Sequence, residues 1–380
     1  MPETNTIGIT GAGGLLGWHT QVHLRALNAA ASYRGEPEPV RWRVAHTSTF
    51  DSAPELVDFV KGCDTIIHFA GINRGSDAQV EFGNIEIAKR LVQALTETGS
   101  TPNLIFANST HASSDSPYGR GKAKAAQLLS EWAARVGANF VDLILPHVFG
   151  EHGRPNYNSV TATFCEMLVR GEAPQVNPEG RVELVHAGTV AERVIAAGVN
   201  SEAGQVRMEG QPLSIPELLD RLVMIDQQYR ANVIPDLSEP FDLQIFNTYR
   251  SYIPVERRLV DIPVNTDNRG HLFETVKGGG GGQTFVSWTK PGVIRGNHFH
   301  LNKAERFLVL QGEARIKLRR VGHEDVHEFS VCGDRPAFID IPTLHTHSIE
   351  NTGSEPLVTL FWAHEIFNSA KPDTYMEMVE

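Results

Sequence analysis

Short apolar runs alternate with longer amphipathic stretches along the first 150 residues. In one stretch, residues 86–98, and in a second, residues 119–136, apolar positions recur at helical spacing. Continuous apolar strands that alternate with helices indicate a parallel sheet covered on both faces. We therefore expect an α/β Rossmann-like, doubly wound parallel sheet. Its predicted strands cover residues 6–10, 40–45, 65–69, 103–107 and 140–145.

The pattern changes twice farther along the chain. Helical periodicity at residues 160–170, 189–199 and 215–229 predicts a mostly helical region. Beyond it, short alternating runs separated by Gly, Pro and Asn turns predict an all-β jelly roll or barrel. These strands are predicted at residues 285–288, 307–310, 314–318 and 359–363. We predict a first domain over residues 1–252, whose part from about 151 to 252 binds substrate, and a second over 253–380.

Composition excludes several classes of function. A net charge of −11 without a concentrated basic run argues against nucleic-acid binding, which needs clustered Lys and Arg. No window approaches the roughly 18 uninterrupted apolar residues that a membrane helix needs. The opening MPETN has no secretory pattern, and the three cysteines lie too far apart for a disulfide framework. A cytoplasmic protein that acts on a small molecule is expected.

A glycine-rich turn follows the first predicted strand. Residues 10–17, TGAGGLLG, contain G-x-x-G-x-x-G spacing at the start of a helix. Such glycines permit a tight turn, a close approach of the backbone to a pyrophosphate, and a helix N-terminus that faces the anion. The candidate cofactor-binding residues here are Gly11, Gly13, Gly14, Leu15, Leu16 and Gly17.

Two further strand ends are candidates for the same cofactor. Asp64 and the loop residues Phe69, Ala70 and Gly71 bracket the third strand and would pass the adenine and ribose, although an ordinary strand-to-loop transition is the alternative. The second strand ends before His46, where an acidic residue would favour NAD through the ribose hydroxyls. Its absence favours NADPH, with NADH as the alternative.

A phenol and an ammonium lie one helical turn apart in residues 118–122, YGRGK. Tyr118 and Lys122 share a helix face, so the ammonium is expected to lower the pKa of the phenol and help it protonate a carbonyl oxygen. Ser109 would hydrogen-bond the same oxygen. A solvated helix face is the alternative, but none of the other six tyrosines has a lysine four residues on.

These residues resemble the extended short-chain dehydrogenase/reductase family. The resemblance implies catalytic roles for Ser109, Tyr118 and Lys122, with Lys122 also contacting the cofactor, and a structural or relay role for Asn84 beside the cofactor. One departure is that only eight residues separate Ser109 from Tyr118, fewer than in most members.

Histidines in the C-terminal third predict a metal site. His298 and His300 are two residues apart on a predicted strand, so both imidazoles can face the interior, where Glu305 on the next strand can reach them. His347 would add a third imidazole, leaving His345 nearby. Three imidazoles and a carboxylate suit a divalent metal, Zn first, then Fe, Mn or Ni. The spacing is similar to the cupin motifs, in which a metal-free or structural-metal site is the alternative.

Motifs spread along the chain are similar to those of a family of bifunctional capsular-polysaccharide enzymes that join a reductase domain to a cupin. They include RPNYNSV at residues 154–160 and KPDTY at residues 371–375. The resemblance implies synthesis of UDP-N-acetyl-L-fucosamine. The cupin would epimerise C3 of a UDP-2-acetamido-4-keto-6-deoxy sugar, and the reductase domain would then reduce C4 with NADPH. Arg154, Asn156 and Asn158 would face the UDP-sugar, or else form turns.

Two rival functions stay open. In one, the cupin is not catalytic and supports a homodimer, so the protein is only a keto-sugar nucleotide reductase. In the other, the protein senses a cofactor without turnover. The base of the cupin reaction is not settled by the sequence, with His345 and Lys303 as candidates.

Overall fold

The computed structural model describes residues 4–380, so the start of the chain, on which the absence of a secretory signal was predicted, lies partly outside the described residues. The chain forms two compact units. The first contains residues 4–149 and Arg181–Leu213, and the second contains Gly150–Gly180 and Ser214–Glu380. The predicted domain boundary at residues 252 and 253 stays a prediction.

The strands up to residue 214 are β1 Asn5–Thr10, β2 Val40–Ala45, β3 Thr65–His68, β4 Asn103–Ser109, β5 Phe140–Leu145, β6 His147–Phe149, β7 Arg181–His186, β8 Gly204–Arg207 and β9 Gln211–Ser214. The helices are α1 Leu15–Tyr33, α2 Thr47–Asp51, α3 Ala53–Val60, α4 Asp77–Thr98, α5 Pro117–Val136, α6 Val160–Arg170, α7 Ala187–Val199, α8 Ile215–Arg230 and α9 Pro240–Ser251. Within residues 4–380, no helix combines the length and apolarity needed to cross a bilayer.

A parallel sheet of order β2-β1-β3-β4-β5-β8 organises the first unit. Its central strands are apolar on both faces because each face carries a separate hydrophobic core. Phe106 and Trp132 belong to the core that includes α3, α4 and α5, whereas Ile9 and Val190 belong to the core that includes α1 and α7. The Rossmann-like prediction is confirmed, and the five predicted strands are β1 to β5.

Two helices begin earlier than their apolar pattern predicts. The Ser76 hydroxyl accepts a hydrogen bond from the Gln79 amide, and the Gln79 side-chain oxygen accepts one from the Ser76 amide. Because of this capping box, α4 begins at Asp77 rather than 86. Ser116 likewise accepts from the Gly119 backbone and starts α5. This cap places Tyr118 in the first turn of α5.

The strands of the second unit are β10 Val233–Ile234, β11 Leu259–Asp261, β12 Asn265–Asp267, β13 Gly270–Leu272, β14 Lys277–Gly278, β15 Gln283–Thr289, β16 Ile294–Phe299, β17 Glu305–Gln311, β18 Glu313–Arg320, β19 Val326–Cys332, β20 Ala337–Ile341, β21 His345–Asn351, β22 Leu357–Ala363 and β23 Tyr375–Met376.

Two five-stranded antiparallel sheets, β11-β20-β17-β22-β15 and β19-β18-β21-β16-β23, form the all-β part. Alternate side chains such as Phe307 and Ile316 meet in a common core. The cupin prediction for this region is confirmed. The glycine run at residues 278–282 joins β14, which pairs with β10, to β15.

Helices α8 and α9 are tied to β20 by a buried polar network. Arg306 donates two hydrogen bonds to Asp340, at 2.6 and 2.9 Å, and Tyr229 of α8 donates to the same carboxylate at 2.6 Å. Arg250 of α9 donates to the carbonyl of Ile341 at 2.7 Å. Because removing one partner of a buried ion pair leaves an uncompensated charge, this network specifies where the helices sit on the sheet.

Two candidate functional sites

The glycine turn joins β1 to α1 with little room for side chains. Gly11 has a φ of +67°, and a Cβ there would lie 2.8 Å from the backbone nitrogen of Ala70. A Cβ on Gly17 would lie 2.4 Å from the Gly11 carbonyl oxygen. The amide of Gly14 closes the turn by donating to that oxygen at 3.0 Å. Glycine at these positions is therefore required by packing.

Open space faces the start of α1. A Cβ built on Gly13 meets nothing within 4 Å, and Gly14, the N-cap residue, gives the helix no side-chain cap. Both are exposed. The first backbone N–H groups of the helix, at Leu15 and Leu16, lie at an end that carries partial positive charge. The turn fits the pyrophosphate of a dinucleotide.

The loop after β3 packs against this turn. The Ala70 amide donates to the Thr10 hydroxyl at 3.1 Å, and the Phe69 amide donates to the Thr10 carbonyl. Asn84 holds the far side of the loop: its side chain accepts from the Ile72 amide and donates to the carbonyls of Ile72 and Val80. These bonds support the structural role implied for Asn84.

Two of the cofactor candidates lie at opposite edges of the sheet. His46 follows β2 and lies at the carboxyl edge, where β1 ends in the glycine turn. Asp64 precedes β3 and accepts from the Thr6 amide at 2.8 Å, at the amino edge. Because side chains that contact a ligand at the glycine turn must come from the carboxyl edge, the assignment of Asp64 as a cofactor residue is wrong.

Ser109, Tyr118 and Lys122 come together at the carboxyl edge of β4. Lys122 is only 5% exposed, and its Nζ donates to the Ala107 carbonyl at 2.5 Å and lies 4.0 Å from the Phe106 ring centroid. Burial lowers the pKa of Lys122 to about 7, an effect that the more distant Asp142 carboxylate opposes. Among residues 4–380, no carboxylate lies within salt-bridge distance of this ammonium.

The Tyr118 hydroxyl hydrogen-bonds Ser109. Burial raises the pKa of Tyr118, and the bond with Ser109 only partly offsets this. The expectation that Lys122 lowers the pKa of the phenol is therefore wrong for this geometry, in which the ammonium points to the Ala107 carbonyl instead. A phenol with a raised pKa keeps its proton at neutral pH and can donate it.

Two histidines beside Tyr118 were missed by sequence reasoning. The ring centroid of His111 lies 6.5 Å from that of Tyr118 and 5.5 Å from that of His147. Burial lowers the pKa of His147, His111 adds to this, and Glu183 opposes it. The position of His111, two residues after Ser109, was the one signal in the sequence.

The predicted substrate residues lie in the second unit, between β6 and α6. Asn156 has a φ of +54°, its amide donates to the Thr163 hydroxyl at 2.9 Å, and its side chain reaches Glu166 at 3.4 Å. The Arg154 guanidinium stacks on Tyr157 at 5.0 Å. Arg154, Asn156 and Asn158 are exposed. Their contact with a sugar nucleotide stays a prediction.

His298, His300, Glu305 and His347 converge inside the β-sandwich, with one ligand atom from each within 4.8 Å of the others. A bulge at Asn297 brings His298 opposite His347, and Gly296, with a φ of +90°, lets the two strands approach. The nitrogen Nε2 of His300 lies 3.0 Å and that of His347 lies 3.6 Å from Oε2 of Glu305. Ligands of a tetrahedral zinc ion lie about 3.3–3.6 Å apart. The cluster fits such an ion.

Backbone carbonyls orient two of these imidazoles. Nδ1 of His300 donates to the Asp373 carbonyl, and Nδ1 of His347 donates to the His345 carbonyl at 3.2 Å. A neutral imidazole that donates from Nδ1 keeps a lone pair on Nε2, so both rings present lone pairs to the cluster. Nε2 of His347 is buried and accepts or donates no hydrogen bond within the described part of the chain.

The charge state of the cluster suits a cation. Burial opposes ionisation of Glu305, but the charge of His300 outweighs burial and lowers the pKa of Glu305 to about 2. Burial lowers the pKa of His298 to about 4 and that of His347 well below its ordinary value. The Glu305 carboxylate also raises the pKa of His300 against the effect of burial. A divalent metal that binds here therefore displaces a proton from His300 and leaves neutral imidazoles beside the carboxylate.

The two candidate bases donate hydrogen bonds to backbone carbonyls. Nζ of Lys303 donates to the Pro372 carbonyl at 2.5 Å. Nδ1 of His345 donates to the Thr343 carbonyl at 2.9 Å, and its ring lies 5.4 Å from that of His152. Both side chains are held by the fold.

Two family models match the chain. The model described as NAD dependent epimerase/dehydratase family matches residues 7–208, and the one described as polysaccharide biosynthesis C-terminal domain matches residues 265–375. Together they cover the glycine turn, the Ser109-Tyr118-Lys122 set and the metal cluster.

Relatives match over nearly the whole length. The chain is 31% identical to UDP-2-acetamido-2,6-beta-L-arabino-hexul-4-ose reductase of Pseudomonas aeruginosa, over 97% of each chain. The crystal structure of the capsular polysaccharide assembling protein CapF from Staphylococcus aureus has a TM-score of 0.60 and 30% identity, covering 98% of this chain and 100% of that one. A structure of CapF with the inhibitor 3-isopropenyl-tropolone has a TM-score of 0.55, 29% identity and the same coverage. The chain therefore belongs to the NAD dependent epimerase/dehydratase family and carries a polysaccharide biosynthesis C-terminal domain, in the arrangement of the hexulose reductase.

Proposed function

We propose that this chain is a bifunctional UDP-sugar enzyme of UDP-N-acetyl-L-fucosamine synthesis. Its β-sandwich epimerises C3 of a UDP-2-acetamido-4-keto-6-deoxy sugar, and its Rossmann-like domain reduces the C4 ketone. The observation that carries the proposal is the meeting of Tyr118, Ser109 and Lys122 at the carboxyl edge of the sheet that carries the glycine turn. The name of the Pseudomonas relative supports the choice of substrate.

In the reduction, Tyr118 is the proton donor. When bound, a nicotinamide cofactor supplies the hydride that C4 receives. The buried phenol, whose pKa is raised, transfers its proton to the C4 oxygen, and the Ser109 hydroxyl orients that oxygen. In this proposal Lys122 contacts the cofactor, because its ammonium is held by the Ala107 carbonyl and does not lower the pKa of the phenol.

NADPH is the proposed cofactor. No carboxylate follows β2, where His46 lies instead. Arg43 cannot hold a 2'-phosphate from its present position, because it donates to Asp58 and to the Lys61 carbonyl at 2.8 Å each. His46, whose side chain is exposed, is therefore the proposed contact for the 2'-phosphate.

In the epimerisation, His298, His300, Glu305 and His347 would hold a divalent metal, with zinc proposed first. When bound, such an ion supplies Lewis acidity that stabilises negative charge on the C4 oxygen after the C3 proton is removed. A carbonyl at C4 acidifies the C3 proton, so one ketone serves both reactions. The tropolone inhibitor of CapF carries adjacent oxygens on its ring, which is the arrangement of a metal chelator.

A homodimer is part of the proposal. Strand β15 lies at the edge of its sheet and exposes Phe285, Val286 and Trp288, the last at 67%. An apolar edge strand of this kind is commonly covered by a partner. Light scattering gives the mass of the purified protein in solution. A mass equal to that of one chain would contradict the homodimer.

Product analysis by NMR tests the function directly. The protein is incubated in D₂O with a UDP-4-keto-6-deoxy sugar and NADPH. We expect deuterium at C3, a hydroxyl at C4, and one NADPH oxidised per product. Reduction without deuterium at C3 would favour a non-catalytic sandwich, and cofactor binding without oxidation would favour a sensor.

A further inference from the structure

The C-terminal tail lies against the strand that carries one metal ligand, His298, and that ends just before another, His300. Strand β23 pairs with β16, with His298 opposite Met376 and Phe299 opposite Tyr375. Beyond β23, the Glu377 amide donates to the Asn297 carbonyl at 3.0 Å. The tail therefore borders β16 from Asn297 to Phe299, beside the bulge that sets the direction of His298.

Asp373 holds the turn between two ligands. Its carboxylate accepts from the amides of Leu301, Asn302 and Lys303 at 3.0, 2.9 and 2.7 Å. These three residues connect His300 to the start of β17, where Glu305 lies. Three N–H groups on one carboxylate make a strong anchor, because hydrogen bonds to a charged acceptor exceed neutral ones.

The same residue also orients a ligand directly. The backbone carbonyl of Asp373 accepts from Nδ1 of His300. The φ of Asp373 is +42°, a left-handed conformation that Asp and Asn adopt more readily than most residues. This conformation lets the carboxylate and the carbonyl act on the same turn.

Lys303 also bonds the turn to the tail, through its side chain. Its buried Nζ donates to the Pro372 carbonyl at 2.5 Å and lies 3.4 Å from the Thr374 hydroxyl. The turn thus donates hydrogen bonds to the tail at two points, the carboxylate of Asp373 and the carbonyl of Pro372.

We propose that the tail motif at residues 371–375 is a structural part of the metal site, and that Asp373 is a positioning residue that aims Nε2 of His300 at the ion. This inference rests on the metal binding in the proposed function and adds to it a segment about 70 residues away in sequence from the first ligands. Asp373 makes no contact with the ion itself.

Zinc affinity of the full-length chain tests the proposal, measured by competition with a chromogenic chelator. Loss of a group that orients a metal ligand costs about 10–100-fold in affinity, and we expect this loss for Asp373→Ala. Asp373→Asn, which tolerates the left-handed backbone, separates loss of the carboxylate from backbone strain and should fall between Ala and wild type. Lys303→Met should weaken binding as well.

Glu380→Gln is the matched control. Glu380 lies in the same tail, but its carboxylate accepts from Lys317 of β18 at 2.7 Å rather than from the turn. Its affinity should stay within twofold of wild type. Amide exchange of residues 298–303 in the metal-free protein should be faster in Asp373→Ala than in Glu380→Gln, which separates a loosened turn from global unfolding.

The outcomes are distinguishable. A wild-type chain that binds no zinc overturns the metal site of the proposed function together with this inference. A wild-type chain that binds zinc no more tightly than Asp373→Ala and Asp373→Asn overturns the inference alone.

Discussion

The two candidate sites are built from different parts of the chain. At the carboxyl edge of the parallel sheet, the site consists mainly of backbone groups. Gly11 and Gly17 allow the tight turn, and the backbone N–H groups at the start of α1 face open space. In the β-sandwich, four side chains already converge within 4.8 Å. The first arrangement suits a large anion, whereas the second suits a single cation.

A buried charge behaves in opposite ways at these sites. Burial lowers the pKa of Lys122 to about 7, because a carbonyl and a ring replace water without neutralising the ammonium. Burial also opposes the charge of Glu305, yet His300 holds its pKa at about 2. Whether a buried group stays charged at neutral pH thus depends on its immediate partners. Substitutions at each site test whether ketone reduction and C3 exchange depend on separate sites.

Tyr118→Phe should have the largest effect, at the first site only. Removing the proton donor should lower kcat for ketone reduction by about 10²–10⁴-fold, while deuterium exchange at C3 persists. Stopped-flow oxidation of NADPH and NMR of the sugar measure the two reactions.

Tyr33→Phe is the control for this change, since Tyr33 is 82% exposed at the end of α1. If both variants lose reductase activity equally, or if Tyr118→Phe retains it, Tyr118 is not the proton donor.

His347→Ala should have the next largest effect, at the second site only. Losing one of four ligands should lower C3 exchange by about 100-fold, and a chelator should have the same effect on wild type. Reduction of a substrate already epimerised at C3 should continue. His271→Ala, at an exposed histidine of the same unit, should change neither reaction. Reductase activity that falls in parallel with exchange would contradict independent sites.

The pH dependence of cofactor binding should show a smaller effect. The folded-state pKa of Lys122 is lowered to about 7, so its ammonium is present below pH 7 and is lost as the pH rises through 7. Affinity for the anionic NADPH should fall by up to about tenfold per pH unit between pH 7 and 9. Fluorescence titration should find this slope in wild type and not in Lys122→Met; a flat wild-type profile would argue against contact with the cofactor.

Gly13→Ala should have the smallest effect on the fold. A Cβ at Gly13 meets nothing within 4 Å, so the free energy of unfolding should stay within about 0.5 kcal/mol of wild type. Gly17→Ala should be clearly less stable, because its Cβ would lie 2.4 Å from the Gly11 carbonyl oxygen. If both variants bind NADPH as wild type does, the turn is not the cofactor site.

Much of the fold follows from local pattern. The strands β1 to β5 were predicted because short, mostly apolar runs alternate with helical stretches there, and α6 was predicted with its observed bounds, Val160–Arg170. Two starts were missed, because Ser76 and Ser116 begin helices through capping rather than through apolar periodicity. The spacing of His298 and His300 predicted their shared face, since side chains two apart on a strand point the same way.

Other features depend on contacts between distant segments. Asp64 precedes a predicted strand, and the parallel pairing of β3 with β1 places it at the amino edge, away from the glycine turn. His111 and His147 meet because β4 and β5 are neighbours. Asp373 reaches the turn after His300 because β23 pairs with β16.

Local sequence patterns specified the strands β1 to β5, the helix α6, the glycine turn, and the residue types able to bind a dinucleotide and a metal, because these follow from periodicities of two and 3.6 residues and from side-chain chemistry. Tertiary structure alone decided that Lys122 is bound by the Ala107 carbonyl and that the tail supports His300. Hydrogen bonds between segments far apart in sequence form only once strand order and register are set, and no local pattern records them.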